Sequence, residues 1–213
     1  MPLWRRRYFN LLALGLLTQG VFAPLALAKD RKLLVVGDSL SAEYGLPRGS
    51  GWVALLAQQL LKEQSTWQVV NASISGDTTA GGRFRLPALL QQHQPGIVII
   101  ELGGNDALRG FSMKMTEDNL QEMIKACQAI KAKVLLVDMQ VPPNYGADYA
   151  AEFSQVFVRL SKTYKTAVVP FLLKGIADTP NAAEWFQADR IHPNAAAHPK
   201  MLANVWPVLK KLL

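Results

Sequence analysis

Two short segments far apart in the chain hold the residue types that nucleophilic acyl chemistry needs. The first is Gly37-Asp38-Ser39-Leu40-Ser41, directly after an apolar run. A serine hydroxyl is a weak nucleophile until a base takes its proton. The second is Asp189-Arg190-Ile191-His192-Pro193. An acid three residues before a histidine can fold back so that its carboxylate accepts the Nδ1 proton, which leaves Nε2 to act as the base. Taken alone, an Asp-Ser pair also suits a turn or a helix cap. The two segments gain meaning only if they meet.

Two further segments offer hydrogen-bond donors. Gly76, in Asn71–Thr78, can present a backbone N–H. Asn105, in Glu101-Leu102-Gly103-Gly104-Asn105-Asp106, carries a side-chain amide beside two glycines that allow close approach. With the Ser39 N–H they make a three-donor set for a developing oxyanion. Each has a bland alternative, a turn for Gly76 and a loop cap for Asn105.

The elements that must position these segments follow from hydrophobic patterning. Five short apolar runs, 33–36, 67–70, 97–100, 134–137 and 167–169, are apolar on both faces, as parallel strands covered on both sides are. Amphipathic stretches near 51–64, 80–93, 116–131, 147–165 and 196–211 alternate with them; Trp52, Leu55, Leu56 and Leu60 fall at helical spacing. The expected fold is α/β: a three-layer α/β/α sandwich around a five-stranded, mostly parallel, flavodoxin-like sheet. The stretches 101–115, 138–147 and 170–195 read as irregular. In such sheets ligands bind at the carboxyl ends of the strands, where the chemical residues fall.

Length and composition fit one globular domain. The 213 residues are 50% hydrophobic and 18% charged. Residues 1–28 read as a signal peptide: Arg5, Arg6 and Arg7 precede the apolar stretch Leu11–Leu27, and Ala26-Leu27-Ala28 has a small-x-small cleavage pattern. Pro24 and two polar residues interrupt the run, which argues against a spanning anchor. The expected domain is then 29–213, located in the periplasm or secreted, with no stable membrane span. Removing the leader lowers the formal charge from +7 to +4. The remaining basic residues are scattered, which argues against nucleic acid. Cys127, the single cysteine, reads as a buried apolar residue. No metal-ligand spacing is present, so neither a metal nor another cofactor is expected. A monomer is the default.

These segments together resemble the SGNH hydrolases, also called the GDSL family, whose four blocks supply Ser, Gly, Asn and His. The strings GDSLSA, NASISGDT, RLPALLQQHQP, ELGGNDALRGF, PPNYG and DRIHP carry the likeness over nearly the whole chain after residue 28. Within the family it is similar to exported bacterial thioesterases, arylesterases and lysophospholipases. The resemblance implies Ser39 as nucleophile, Asp189 and His192 as the rest of a triad, and Ser39, Gly76 and Asn105 as oxyanion donors. Arg190 departs from it, since a small residue such as glycine is expected there. The motif is not the Gly-x-Ser-x-Gly nucleophile elbow, because the fifth position is Ser41.

The expected function is hydrolysis of carboxylic esters and acyl thioesters through an acyl-enzyme on Ser39. Leu108, Phe111 and Met113, with Val141, Pro142, Pro143 and Tyr145, are candidates to wall an acyl groove; the resemblance implies acyl-chain contact for the loop near Leu108–Phe111. Two rival readings are a carbohydrate O-acetylesterase on the same fold and a non-catalytic flavodoxin-like binding module. Asp38 and Asp106 read as loop-shaping hydrogen-bond acceptors, Asp77 as the cap of the following helix, and Glu101 as a support for the Asn105 loop. His93 reads as solvated, and His198 as non-catalytic.

Overall fold

The structure, a computed structural model, describes residues 31–141 and 145–213. The expected signal peptide, Pro142 and Pro143 lie outside the described residues.

Five strands form one sheet: β1 (Arg31–Gly37), β2 (Trp67–Asn71), β3 (Ile97–Glu101), β4 (Lys133–Val137) and β5 (Ala167–Val169). Every neighbouring pair is parallel, in the order β2-β1-β3-β4-β5. The apolar runs dictate this, since Leu33–Val36, Ile97–Ile100 and Leu135–Val137 are fully buried between helical layers. Helices α1 (Trp52–Lys62) and α6 (His198–Leu209) pack together, while α2 (Thr79–His93) and α5 (Ala147–Tyr164) flank α4 (Met113–Ala129). The three expected layers are therefore present, and the sheet is wholly parallel.

The strand order reverses direction at β1, whose two neighbours are β2 and β3. A crevice opens at the carboxyl ends of strands at such a switch point. The chain leaves β1 into the Ser39 turn and β3 into the Asn105 segment, so both start from the crevice.

Three differences from the sequence reading matter. The stretch 101–115, expected to be irregular, contains a five-residue helix α3 (Gly104–Leu108), entered through Gly103 at φ +118°. Helix α4 starts at Met113 because the Ser112 hydroxyl accepts the Met115 N–H. The cap of α2 is Thr78, which accepts from Gly81 N, and not Asp77. Asp77 instead accepts the Thr78 N–H and pairs with Arg85 at 2.8 Å. Cys127 is buried, as expected, and burial pushes its thiol up to about 12.

Candidate active site

Gly37 is the last residue of β1 and pairs in register with Glu101, the last of β3. A Cβ on Gly37 would lie 2.7 Å from Glu101 Oε2 and 2.8 Å from Ser41 Oγ, so glycine is required for the two strands to end this close. The turn that follows is pinned from below. Glu101 Oε2 accepts the Asp38 N–H at 3.2 Å and the Ser41 hydroxyl at 2.7 Å, and Ser41 Oγ accepts Trp52 Nε1–H at 3.2 Å. Glu101 is thus a floor for the Ser39 turn and not, as its place in sequence suggests, a support for Asn105. It is fully buried, and burial together with the neighbouring Asp38 charge holds its carboxyl well above the usual range.

Ser39 stands half-buried on this floor. Its Oγ is 3.0 Å from His192 Nε2, across 153 residues of sequence. His192 Nδ1 is in turn 2.6 Å from Asp189 Oδ2. The other oxygen of Asp189 accepts the N–H groups of Ile191 and His192 at 2.9 and 3.0 Å. The His192 N–H above all, then its imidazole and the Ile191 N–H, hold the Asp189 carboxyl down at about 2. The acid is therefore ionised at neutral pH, and as an acceptor facing the ring it favours the tautomer with the proton on Nδ1.

The remaining expected donors keep hydrogens that nothing among the described residues accepts. Gly76 has φ +78°, a left-handed conformation suited to glycine, and its N–H donates to no group among the described residues. The same holds for the Ser39 N–H. Asn105 lies on α3 and gives one amide hydrogen to Asp38 Oδ2 at 2.9 Å, which leaves its second hydrogen for another acceptor. Asp38 also accepts the Leu40 N–H, and burial pushes its carboxyl up to about 6. Asp38 is the loop-shaping group it was expected to be.

Other residues hold the site in ways that no local spacing signals. The Tyr44 ring lies 4.3 Å from the His192 ring, tilted by 38°. Gln187 braces the Asp189–His192 loop: its Nε2 donates to Tyr44 O and Pro193 O, and its N–H to His192 O. His198 is buried at the start of α6, where Nδ1 accepts the Trp52 N–H at the start of α1. Burial lowers its pKa, so it is neutral and structural.

Of the candidate groove residues, Leu108 ends α3 and is exposed, and Phe111 follows it by three residues. Tyr145 donates its hydroxyl to Leu108 O at 3.3 Å, which ties the segment after β4 to that after β3. Val141 packs in the core. Met113 is half-buried at the start of α4. A separate open cleft of about 600 Å³, lined by Pro87, Leu90, Pro95, Ala126 and Ile130, lies at the amino-terminal edge of the sheet and contains none of these residues.

Residues 35–199 match the GDSL-like lipase/acylhydrolase family. The chain belongs to this family. It is a hydrolase of the SGNH type, acting on carboxylic esters. It is 51% identical to the esterase TesA of Pseudomonas aeruginosa over 202 residues, which cover 95% of this chain and 96% of that one. It is 46% identical to thioesterase 1/protease 1/lysophospholipase L1 of Escherichia coli K12, over 78% of this chain and 77% of that one. Among solved structures, that of TesA superposes with a TM-score of 0.82 at 52% identity, covering 86% of this chain and all of the other. The fold and the blocks on which the resemblance rests are thus those of an SGNH esterase.

Proposed function

We propose that this hydrolase cleaves acyl esters and thioesters with Ser39 as nucleophile, His192 as general base and acid, and Asp189 as the group that orients and charges the imidazole. The observation that carries the reading is the continuous contact from Asp189 Oδ2 through both ring nitrogens of His192 to Ser39 Oγ, at 2.6 and 3.0 Å. Ser39 Oγ attacks the carbonyl carbon while its proton passes to Nε2. The carbonyl oxygen takes up the negative charge against the N–H groups of Ser39 and Gly76 and the free amide hydrogen of Asn105. The imidazolium then gives its proton to the departing alcohol or thiol, and the acyl group stays on Ser39. A water molecule, deprotonated by His192, attacks the acyl-enzyme and releases the carboxylic acid.

Leu108, Phe111 and Tyr145 lie on the segments that leave β3 and β4, beside this centre, and are read as walls for the acyl chain. The names of the two relatives support esters, thioesters and lysophospholipids as the substrate range. Residues 1–28 are read as an export leader, removed after Ala28 to release an enzyme that works in the periplasm or outside the cell. Mass spectrometry of the exported protein tests this, since a first residue other than Lys29 contradicts the cleavage site.

Hydrolysis of a p-nitrophenyl ester series from acetate to palmitate, and of a matching acyl thioester, tests the function. The Ser39→Ala variant is expected to lose activity by ~10³ or more. Retention of activity in that variant refutes the assignment of the nucleophile. Cleavage of acetate alone would move the carbohydrate O-acetylesterase reading ahead.

A further inference from the structure

Asp106 follows Asn105 on α3, yet it points the other way, into the protein. It is fully buried, and nothing in the hydrolytic mechanism uses it. Its Oδ2 accepts the Thr79 N–H at 2.9 Å, and its Oδ1 accepts the Thr79 hydroxyl at 2.5 Å. Thr79 is the first residue of α2, so the carboxylate satisfies a backbone donor that the helix itself leaves open, and its charge complements the positive end of the helix dipole. The network extends to α4 and out to the exposed Arg83: Asn119 Nδ2 donates to Thr79 Oγ1 at 3.1 Å, Arg83 donates to Asn119 Oδ1 at 3.1 Å, and the Thr116 hydroxyl lies 3.5 Å from Asp106 Oδ1. Thr79, Thr116 and Asn119 are all buried.

A second bond runs between the same two segments on the outside. Arg109, which follows α3, donates to the Gly76 carbonyl at 3.0 Å. The turn from Gly76 to Thr79 is therefore gripped by α3 at both ends, by Arg109 at Gly76 and by Asp106 at Thr79. Asn105 sits on the helix that does the gripping. The two donors assigned to the oxyanion come from different strand ends, after β2 and after β3, and those strands are not neighbours, since β1 lies between them. The sheet alone does not fix their separation.

We propose that Asp106 is a positioning residue: by fastening α3 to the first residue of α2, it sets the distance between the Gly76 N–H and the Asn105 amide to fit one oxyanion. The inference rests on the assignment of Gly76 and Asn105 as oxyanion donors. Asp106 touches no reacting atom. Its effect is felt where charge develops on the carbonyl oxygen, so its loss lowers kcat and leaves KM nearly unchanged. A part that only held the fold together would lower the melting temperature without this split.

The test measures kcat, KM and melting temperature on p-nitrophenyl butyrate for Asp106→Asn, Asn105→Ala and the double variant, all assayed well below their melting temperatures. Asn at 106 keeps one acceptor oxygen and loses the other. Asp106→Asn is expected to lower kcat by ~10–100-fold with KM within about twofold. Asn105→Ala is expected to lower kcat by ~10²–10³. The double variant should fall only slightly below Asn105→Ala, because a misplaced donor and a missing donor fail in the same way. Losses that multiply, or a normal kcat in Asp106→Asn, overturn the proposal. A normal kcat in Asn105→Ala overturns the oxyanion assignment and the proposal with it, and is distinguishable because it appears in the single variant. If Asp106→Asn does not fold, Thr79→Val removes the hydroxyl's bonds to Asp106 and Asn119 and leaves the bond from the Thr79 N–H to Asp106 in place. A kcat reduced by ~3–10-fold at constant KM then supports the proposal, and an unchanged kcat overturns it.

Discussion

Replacing Asp189 by asparagine should disable the hydrolase more thoroughly than removing the side chain altogether. The reason lies in the division of labour between its two oxygens. Oδ1 is held by two backbone N–H donors, from Ile191 and His192, while Oδ2 faces His192 Nδ1 at 2.6 Å. An asparagine amide has one acceptor and one donor end. The two backbone donors select its oxygen, so its NH₂ must turn toward the imidazole. A donor facing Nδ1 forces the ring proton onto Nε2, which then points a hydrogen at Ser39 Oγ and can no longer accept one. Reversing the tautomer is expected to cost ~10⁴ in kcat, with KM little changed. Alanine leaves a gap that water can enter, since the Asp189 side chain is 36% exposed, and water accepts the Nδ1 proton in the productive tautomer. Asp189→Ala is therefore expected to lose less than the asparagine variant. Steady-state kinetics on a short p-nitrophenyl ester decide the order of the two variants, with melting curves as a check on folding. An asparagine variant as active as the alanine variant, or more so, would refute the argument from the two backbone donors.

Two further outcomes concern stability. Asp138, just after β4, is buried with Ser154 Oγ as its one side-chain partner among the described residues, and burial pushes it up to about 7 from 3.8. A carboxyl raised in the folded state makes the protein less stable as pH rises from about 4 through 7, with a ceiling of about 4 kcal/mol. Asp138→Asn lacks this dependence, so urea midpoints at pH 4.5 and 8 should show the variant gaining on the parent at the higher pH; a constant difference rules the idea out. Arg190 sits at φ +58° in the loop between Asp189 and His192, a left-handed conformation that costs a side-chain-bearing residue about 1 kcal/mol relative to glycine. Arg190→Gly should raise the melting temperature by roughly 2–4 °C and leave the esterase rate within about twofold; a lowered melting temperature would mean that the guanidinium makes a stabilising contact.

The sheet was legible because its strands are apolar on both faces, which leaves few alternatives to a covered parallel sheet. The four chemical blocks were legible because each lies after a strand and carries polar residues of the right kind, with glycine in the first three. In the structure Ser39, His192 and Asp189 are in contact. What escaped is what depends on partners distant in sequence. Helix α3 has only five residues behind two glycines, too few to show a period. Asp77 looked like a cap because it precedes the helix, but Arg85 and the Thr78 N–H engage its carboxylate and Thr78 caps instead. Glu101 seemed to belong to its own loop, and only the register that sets it opposite Gly37 shows that it supports the neighbouring turn. Tyr44 carries no local signature, since it meets the His192 ring and the Gln187 side chain from more than 140 residues away in the chain.

The bond from Trp52 N–H to His198 Nδ1 joins α1, the first helix among the described residues, to α6, the last. It spans 146 residues, close to the 153 that separate Ser39 from His192. Contacts of such long range are costly in chain entropy and form late in folding. The nucleophile turn, built on β1 and β3, can be complete while the base is still absent. The two halves of the centre become one only when the carboxyl-terminal segment docks. A growing or unfolded chain is therefore chemically silent, and hydrolytic activity itself reports that the last segment has reached its place.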